Sequence, residues 1–155
     1  MKATLRAAQA ADAPAIAALL IASRRTHLPY APIAHPDHDV QRWVAGVLLP
    51  TQAVTVAVAD DGTLAGVLAT AIVDGVGWIE QLYLAPALVG RGLGTRLLQG
   101  ALATLPRPVR LYTFEANAGA RRFYERHGFR ALAFSDGSGN EERCPDVLYE
   151  LATAG

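Results

Sequence analysis

Apolar and polar residues alternate from Ala3 to Ala7, the period of a half-buried strand. The period then lengthens to that of an amphipathic helix, opened by Asp12 and Pro14 and running to about Arg25. Three prolines and two histidines crowd residues 27–36, which predicts an irregular, fairly rigid loop, and Asp37 or Asp39 then caps a second helix reaching about Leu49. Strand-like runs follow at 53–59, 64–73 and 77–84, and the turns between them, Asp60-Asp61-Gly62-Thr63 and Asp74-Gly75-Val76, have hairpin chemistry. That is an antiparallel meander. Beyond a glycine-rich junction come a helix to about Leu105, a strand over 109–114, a helix from about Ala118 to His127 ended by Gly128, and two last strands near 129–134 and 147–151. A polar loop, 135–145, separates the last two.

The chain of 155 residues fits one domain, 1–155, able to bury roughly 70% of its unfolded surface. Its 14 basic and 14 acidic residues are interspersed, so neither nucleic acid nor a membrane is an expected partner. Cys144 is the only cysteine, which excludes an internal disulfide and a multi-thiolate metal site and makes a reducing cytoplasm the default compartment. His35 and His38 lie among Asp37 and Asp39, but a proline-rich turn capping a helix accounts for that cluster, and no metal is expected. No apolar run approaches the roughly 18 residues of a membrane span, and Met1 to Arg6 lacks a signal peptide's apolar core.

The candidate chemistry starts at Val89-Gly90-Arg91-Gly92-Leu93-Gly94-Thr95, between a strand-like and a helix-like run. Three glycines in five positions let the backbone turn tightly and approach a ligand, while free amides at the helix start form an anion-binding concavity. Arg91 adds positive charge, so a phosphorylated cofactor suits the loop better than a neutral one; a helix capped by flexible glycines is the plainer reading. Gly94 precedes Thr95 where a mononucleotide P-loop needs lysine, and Gly92 and Gly94 are too close for the dinucleotide fingerprint. Glu115 stands about where a ribose-binding acid would, but the upstream hairpins do not fit a dinucleotide fold.

Two motifs together resemble the GNAT family of acetyl-coenzyme A-dependent N-acetyltransferases. One is Leu82-Tyr83-Leu84-Ala85-Pro86 leading into Gly90-Arg91-Gly92-Leu93-Gly94; the other is Asn117-Ala118-Gly119-Ala120-Arg121-Arg122-Phe123-Tyr124-Glu125-Arg126-His127-Gly128-Phe129. The resemblance implies a mixed α/β (α+β) fold, with a mostly antiparallel central sheet of about seven strands flanked by four helices. It also implies acetyl-coenzyme A as cofactor. The amides from Val89 to Thr95 would hold its pyrophosphate, the backbone of Leu82, Tyr83 and Leu84 its pantetheine arm, and Asn117, Ala120, Phe123 and Tyr124 would complete the cofactor side. The family usually has Gln or Arg where this chain has Val89, so only a backbone contact is expected there.

Transfer to an amine requires a base, because an ammonium has no lone pair. Strict alternation puts Glu80 on one face with Trp78 and Leu82, and the resemblance makes Glu80 the candidate base, otherwise a solvent-facing carboxylate. Tyr124 stands where the family commonly protonates the departing thiolate; the alternative is half-buried packing. Trp78 is a pocket wall or core. Tyr30, Glu141 and Glu142 are further acceptor-side candidates, the last two otherwise solvated loop charge. If Glu80, Glu141 and Glu142 all face the mouth opposite the cofactor, a cationic amine is the expected acceptor. A small-molecule or protein amine, and a homodimer, both remain open. A non-catalytic acyl-coenzyme A sensor of the same fold is the competing function, and a nicotinamide-dependent enzyme a distant third.

Overall fold

A computed structural model describes residues 2–29 and 35–153. Seven strands form one sheet: β1 (Ala3–Ala7), β2 (Ala53–Ala59), β3 (Leu64–Val73), β4 (Val76–Leu84), β5 (Val109–Phe114), β6 (Arg130–Ser135) and β7 (Asp146–Leu151), in the order β1-β2-β3-β4-β5-β7-β6. Every pairing is antiparallel except β4 with β5, and the helices are α1 (Ala13–His27), α2 (Asp37–Trp43), α3 (Leu93–Thr104) and α4 (Ala118–Arg126). The expected architecture is therefore the observed one.

Strand alternation divides the core into two layers. Val56 and Val67 pack with Ile16 and Leu20 of α1 and with Val44 and Leu48 just beyond α2. Leu68 and Ile79 face the other way, onto Leu97 and Leu98 of α3 and Tyr124 of α4. Pro14 supplies the fixed φ suited to the first turn of α1, and Asp12 is its N-cap residue, as expected, although its side chain makes no capping hydrogen bond. The Asp12 carboxylate instead takes two bonds from Arg6, at 2.8 and 3.0 Å, and one from the Gln9 amide at 2.7 Å. Neither Asp37 nor Asp39 caps α2: both sit inside its first turn, and Pro36 is the N-cap. Past Trp43 the helix widens into a π-type stretch, Val44–Leu48, closed by a short α-helical turn, Leu49–Thr51.

Two irregularities in β4 create the site. The strand pairs with β5 only through Gly77 and Trp78, opposite Val109 and Arg110, because the crossover through α3 returns β5 parallel and the two strands then diverge. From Ile79 onward, β4 has a paired edge toward β3 and an open edge toward β5. Its register against β3 also slips: Ile79 faces Thr70 and Gln81 faces Ala69, leaving Glu80 as the unpaired residue of a β-bulge. This overturns the expected alternation. Ile79 and Leu82, three residues apart, pack against the same core, while Trp78 stacks on Tyr112 (centroids 5.8 Å, 14°), the neighbour of core Leu111. Trp78 and Leu82 are thus on opposite faces, and the bulge re-aims Glu80.

Candidate active site

A groove of about 560 Å³ runs from the open edge of β4 to the glycine loop and α4. Its walls include Leu82, Tyr83, Leu84, Val89, Gly90, Gly92, Gly94 and Thr95 on one side and Asn117, Ala120, Phe123 and Tyr124 on the other. Gly90 (φ +85°) and Gly92 (φ +79°) adopt the left-handed conformation, and a Cβ on either would project into open space. Among the described residues, no loop hydrogen bond is donated by the amides of Val89, Gly90, Arg91 or Gly92, and the first amides of α3 are free by helix geometry. Such a nest of outward N–H groups suits a pyrophosphate. Leu93 belongs to the core, so only its amide is available to a ligand, and Arg91 is exposed outside the groove.

The two sequence motifs meet here. Thr95 Oγ1 lies 3.2 Å from His127 Nε2, and the Phe123 ring comes within 3.5 Å of where a Cβ on Gly94 would stand. The Asn117 side chain accepts from the Ala120 amide at 3.2 Å and so caps α4. Arg121 donates to the Tyr149 hydroxyl at 3.0 Å, and Tyr149 donates to Glu125 at 2.6 Å, tying both flanks of Tyr124 to β7. The Tyr124 ring meets Phe123 and Phe129 edge-on, at 5.2 and 5.6 Å.

Between the diverging strands lies a smaller cleft of about 280 Å³, where Glu80, Leu82 and Tyr124 face Tyr112, Thr113 and Phe114. Tyr124 lines both groove and cleft. Burial pushes the Tyr124 phenol well above its ordinary pKa, with the neighbouring Tyr83 adding to the shift, so it keeps its proton at neutral pH. The Glu80 side chain reaches solvent, yet partial desolvation raises its carboxyl pKa.

A third cavity, of about 720 Å³, opens on the opposite side of β4. Leu20, Ile21, Val40, Trp43 and Val47 give it apolar walls. Two of its carboxylates pair with arginines, Glu142 with Arg24 (3.2 Å) and Asp39 with Arg42 (3.1 Å), and Glu141 lies 3.1 Å from His35 Nε2. Glu141 and Glu142 thus line this mouth, whereas Trp78 lines none of the three cavities and Tyr30 lies outside the described residues. Tyr83 borders all three cavities, and Arg24 and Gln81 border both this cavity and the cleft.

The sequence model of the acetyltransferase (GNAT) family matches residues 20–129. The chain belongs to this family. Among solved structures, it is similar to PaiA N-acetyltransferase from Thermoplasma acidophilum in complex with coenzyme A, with 22% identity, TM-score 0.76 and 99% and 100% of the two chains covered. It is also similar to apo YjaB from Escherichia coli (19%, 0.76, 99% and 100%) and to the ribosomal-protein-S18-alanine N-acetyltransferase of Escherichia coli (17%, 0.71, 99% and 97%). No curated protein sequence matches.

As a GNAT acetyltransferase, the chain uses acetyl-coenzyme A, and the nest of amides beside an open strand edge fits the pyrophosphate and amide-rich arm of that molecule. Sequence reasoning missed Ser23, His27, Leu28, Gly119 and Arg126, which also line the groove, and Arg24 and Gln81, which line the third cavity. Residues 23–28 gave no local signal, because their role depends on where α1 crosses the sheet. Gly119 and Arg126 lay within the second motif.

Proposed function

We propose that the protein transfers an acetyl group from acetyl-coenzyme A directly to a primary amine, with Glu80 as general base and Tyr124 as proton donor to the leaving thiolate. The observation that carries this reading is the convergence of Glu80 and Tyr124 in one cleft, whose Tyr124 wall continues into the glycine-loop groove. Acetyl-coenzyme A supplies the activated acyl group as a thioester. The amine forms the new C–N bond as the C–S bond breaks. Its proton passes to Glu80, directly or through water, and the sulfur gains one from Tyr124. A raised carboxyl pKa brings Glu80 closer to neutrality, where a general base is most effective.

The phenol must be protonated when the sulfur departs, and burial secures that. The same burial makes it a reluctant acid toward an ordinary thiolate, with a pKa of about 8.5. Tyr124 therefore acts first as a hydrogen-bond donor to the departing sulfur, and solvent restores any proton it gives up. The open β5-facing edge of Leu82 to Leu84 offers backbone groups to the pantetheine arm as an added strand would.

A free-thiol release assay with a panel of amines tests the proposal. Amine-dependent release that Tyr124→Phe slows strongly is the expected result. Tight coenzyme A binding without release for any amine would favour the non-catalytic sensor.

A further inference from the structure

We propose that the acceptor is an amino acid, or a similar amine with an anionic group beside its nitrogen and an apolar side chain, and that Arg24 is the anion's anchor. This rests on the acetyltransferase reading above and names the acceptor for that same site. Arg24 projects from the last turn of α1 to the partition between the acceptor-side cavity and the catalytic cleft, bordering both. Its Nε is buried and has no hydrogen-bond partner. Only Nη2 is engaged by a carboxylate, through a single 3.2 Å contact with Glu142 Oε1, although both side chains are about one-fifth exposed (20% and 19%). The Tyr83 hydroxyl is within hydrogen-bonding reach of the same guanidinium, so it too borders the anion's seat.

A guanidinium is a planar fork matched to a carboxylate that accepts from two of its nitrogens at once, with charge-assisted bonds ordinarily about 2.7–2.9 Å long. Arg6 shows the satisfied state here, holding both Asp12 oxygens at 2.8 and 3.0 Å. Arg24, although less exposed than Arg6, is left with half a fork. An unpaired buried donor is costly, and a ligand carboxylate toward which the guanidinium turns from Glu142, presenting Nε and Nη2 together, removes that cost.

Charge in the cavity points the same way. Of its three carboxylates, Glu142 and Asp39 are held by arginines and only Glu141, 3.1 Å from His35, lacks an arginine partner, so the mouth does not present the broad acidic surface that a polycation would require. Seated on Arg24, an amino acid would keep its amine on the side of the cleft that holds Glu80 and its side chain among Leu20, Val40 and Trp43. A peptide N-terminus has no carboxylate beside its amine and cannot use the fork in this way.

The test compares L-leucine, L-methionine and L-phenylalanine with their carboxamides and decarboxylated amines, alongside spermidine and an alanyl peptide, by thiol release and mass spectrometry. At least one free amino acid is expected to exceed its carboxamide and amine at least tenfold in kcat/KM. With coenzyme A bound, the same amino acid should raise the melting temperature more than its carboxamide does. Arg24→Gln should bring the ratio between acid and carboxamide close to one. Glu142→Gln, which removes the competing carboxylate while keeping Arg24, should lower KM for the acid and preserve its preference, so the proposal remains testable if Arg24→Gln fails to fold. Carboxamides, spermidine or the peptide serving as well as or better than every free amino acid would overturn the proposal and leave the acetyltransferase reading intact. No acetylation of any amine would overturn both.

Discussion

Replacing Gly137 by alanine should separate acceptor binding from cofactor binding. Gly137 has φ +86°, and a Cβ there would lie 2.4, 2.5 and 2.7 Å from the backbone C, O and N of Cys144. No rotamer relieves an overlap with backbone. The left-handed conformation costs a residue with a Cβ about 1–2 kcal/mol, and forced overlap typically adds about 1–3 kcal/mol. The sum is about 2–5 kcal/mol, unless the loop between β6 and β7 moves. Moving it means breaking the Asn140 clamp on Cys144, bonds of 2.7 and 3.2 Å, and drawing Glu141 and Glu142 away from His35 and Arg24. Gly139→Ala is the internal control, since a Cβ there meets nothing within 4 Å and its φ is unexceptional. Urea and thermal denaturation should show Gly137→Ala losing at least about 2 kcal/mol, or at least about 4 °C for a domain of this size. Gly139→Ala should stay within about 0.5 kcal/mol of the parent. Acceptor KM should rise in the first variant while calorimetric affinity for coenzyme A is retained, because the groove shares no residue with this loop. Equal stability and equal acceptor KM in the two variants would refute the reasoning.

Gly92→Val should weaken coenzyme A binding at least tenfold, the equivalent of one or two charge-assisted hydrogen bonds at about 1.5–3 kcal/mol each; unchanged affinity in a folded variant would remove the loop from the cofactor site. Tyr124→Phe should cut turnover by about 10²–10⁴ with little change in cofactor affinity, measured where chemistry limits the rate. The acid limb of kcat/KM against pH should lie above the ordinary glutamate range, and Glu80→Gln should flatten it. That variant should also be more stable than the parent at neutral pH. A carboxyl whose folded pKa is raised costs stability that is absent below its unfolded pKa of about 4.3 and grows as pH rises through the folded value. The gain should therefore vanish in acid, and a gain that persisted there would show that Glu80 is not desolvated by folding.

Much of the cofactor side was legible from sequence because its signals are local. Gly90, Gly92 and Asn117 are residue types that left-handed turns and helix caps require, and the hairpin turns at 60–63 and 74–75 fix the meander that carries β4 to the groove. The third cavity, proposed here to take the acceptor, was less legible for a physical reason. Arg24, Gln81 and Trp43 are brought together by packing α1 and α2 over the sheet, and nothing in their own neighbourhoods marks them. Alternation also failed at Glu80, because a bulge depends on how β3 and β4 pair, and Trp78 consequently faces away from Leu82.

The central claim is that one site binds acetyl-coenzyme A and passes its acyl group directly to an amine. Its most direct measurement is the ratio of free thiol released to N-acetylated amine formed, for wild type and Tyr124→Phe under identical conditions. One thiol per acetylated amine, no release without amine, and a large fall in both rates for the variant are predicted. Thiol release that ignores the amine, or equal rates from the two proteins, would contradict it.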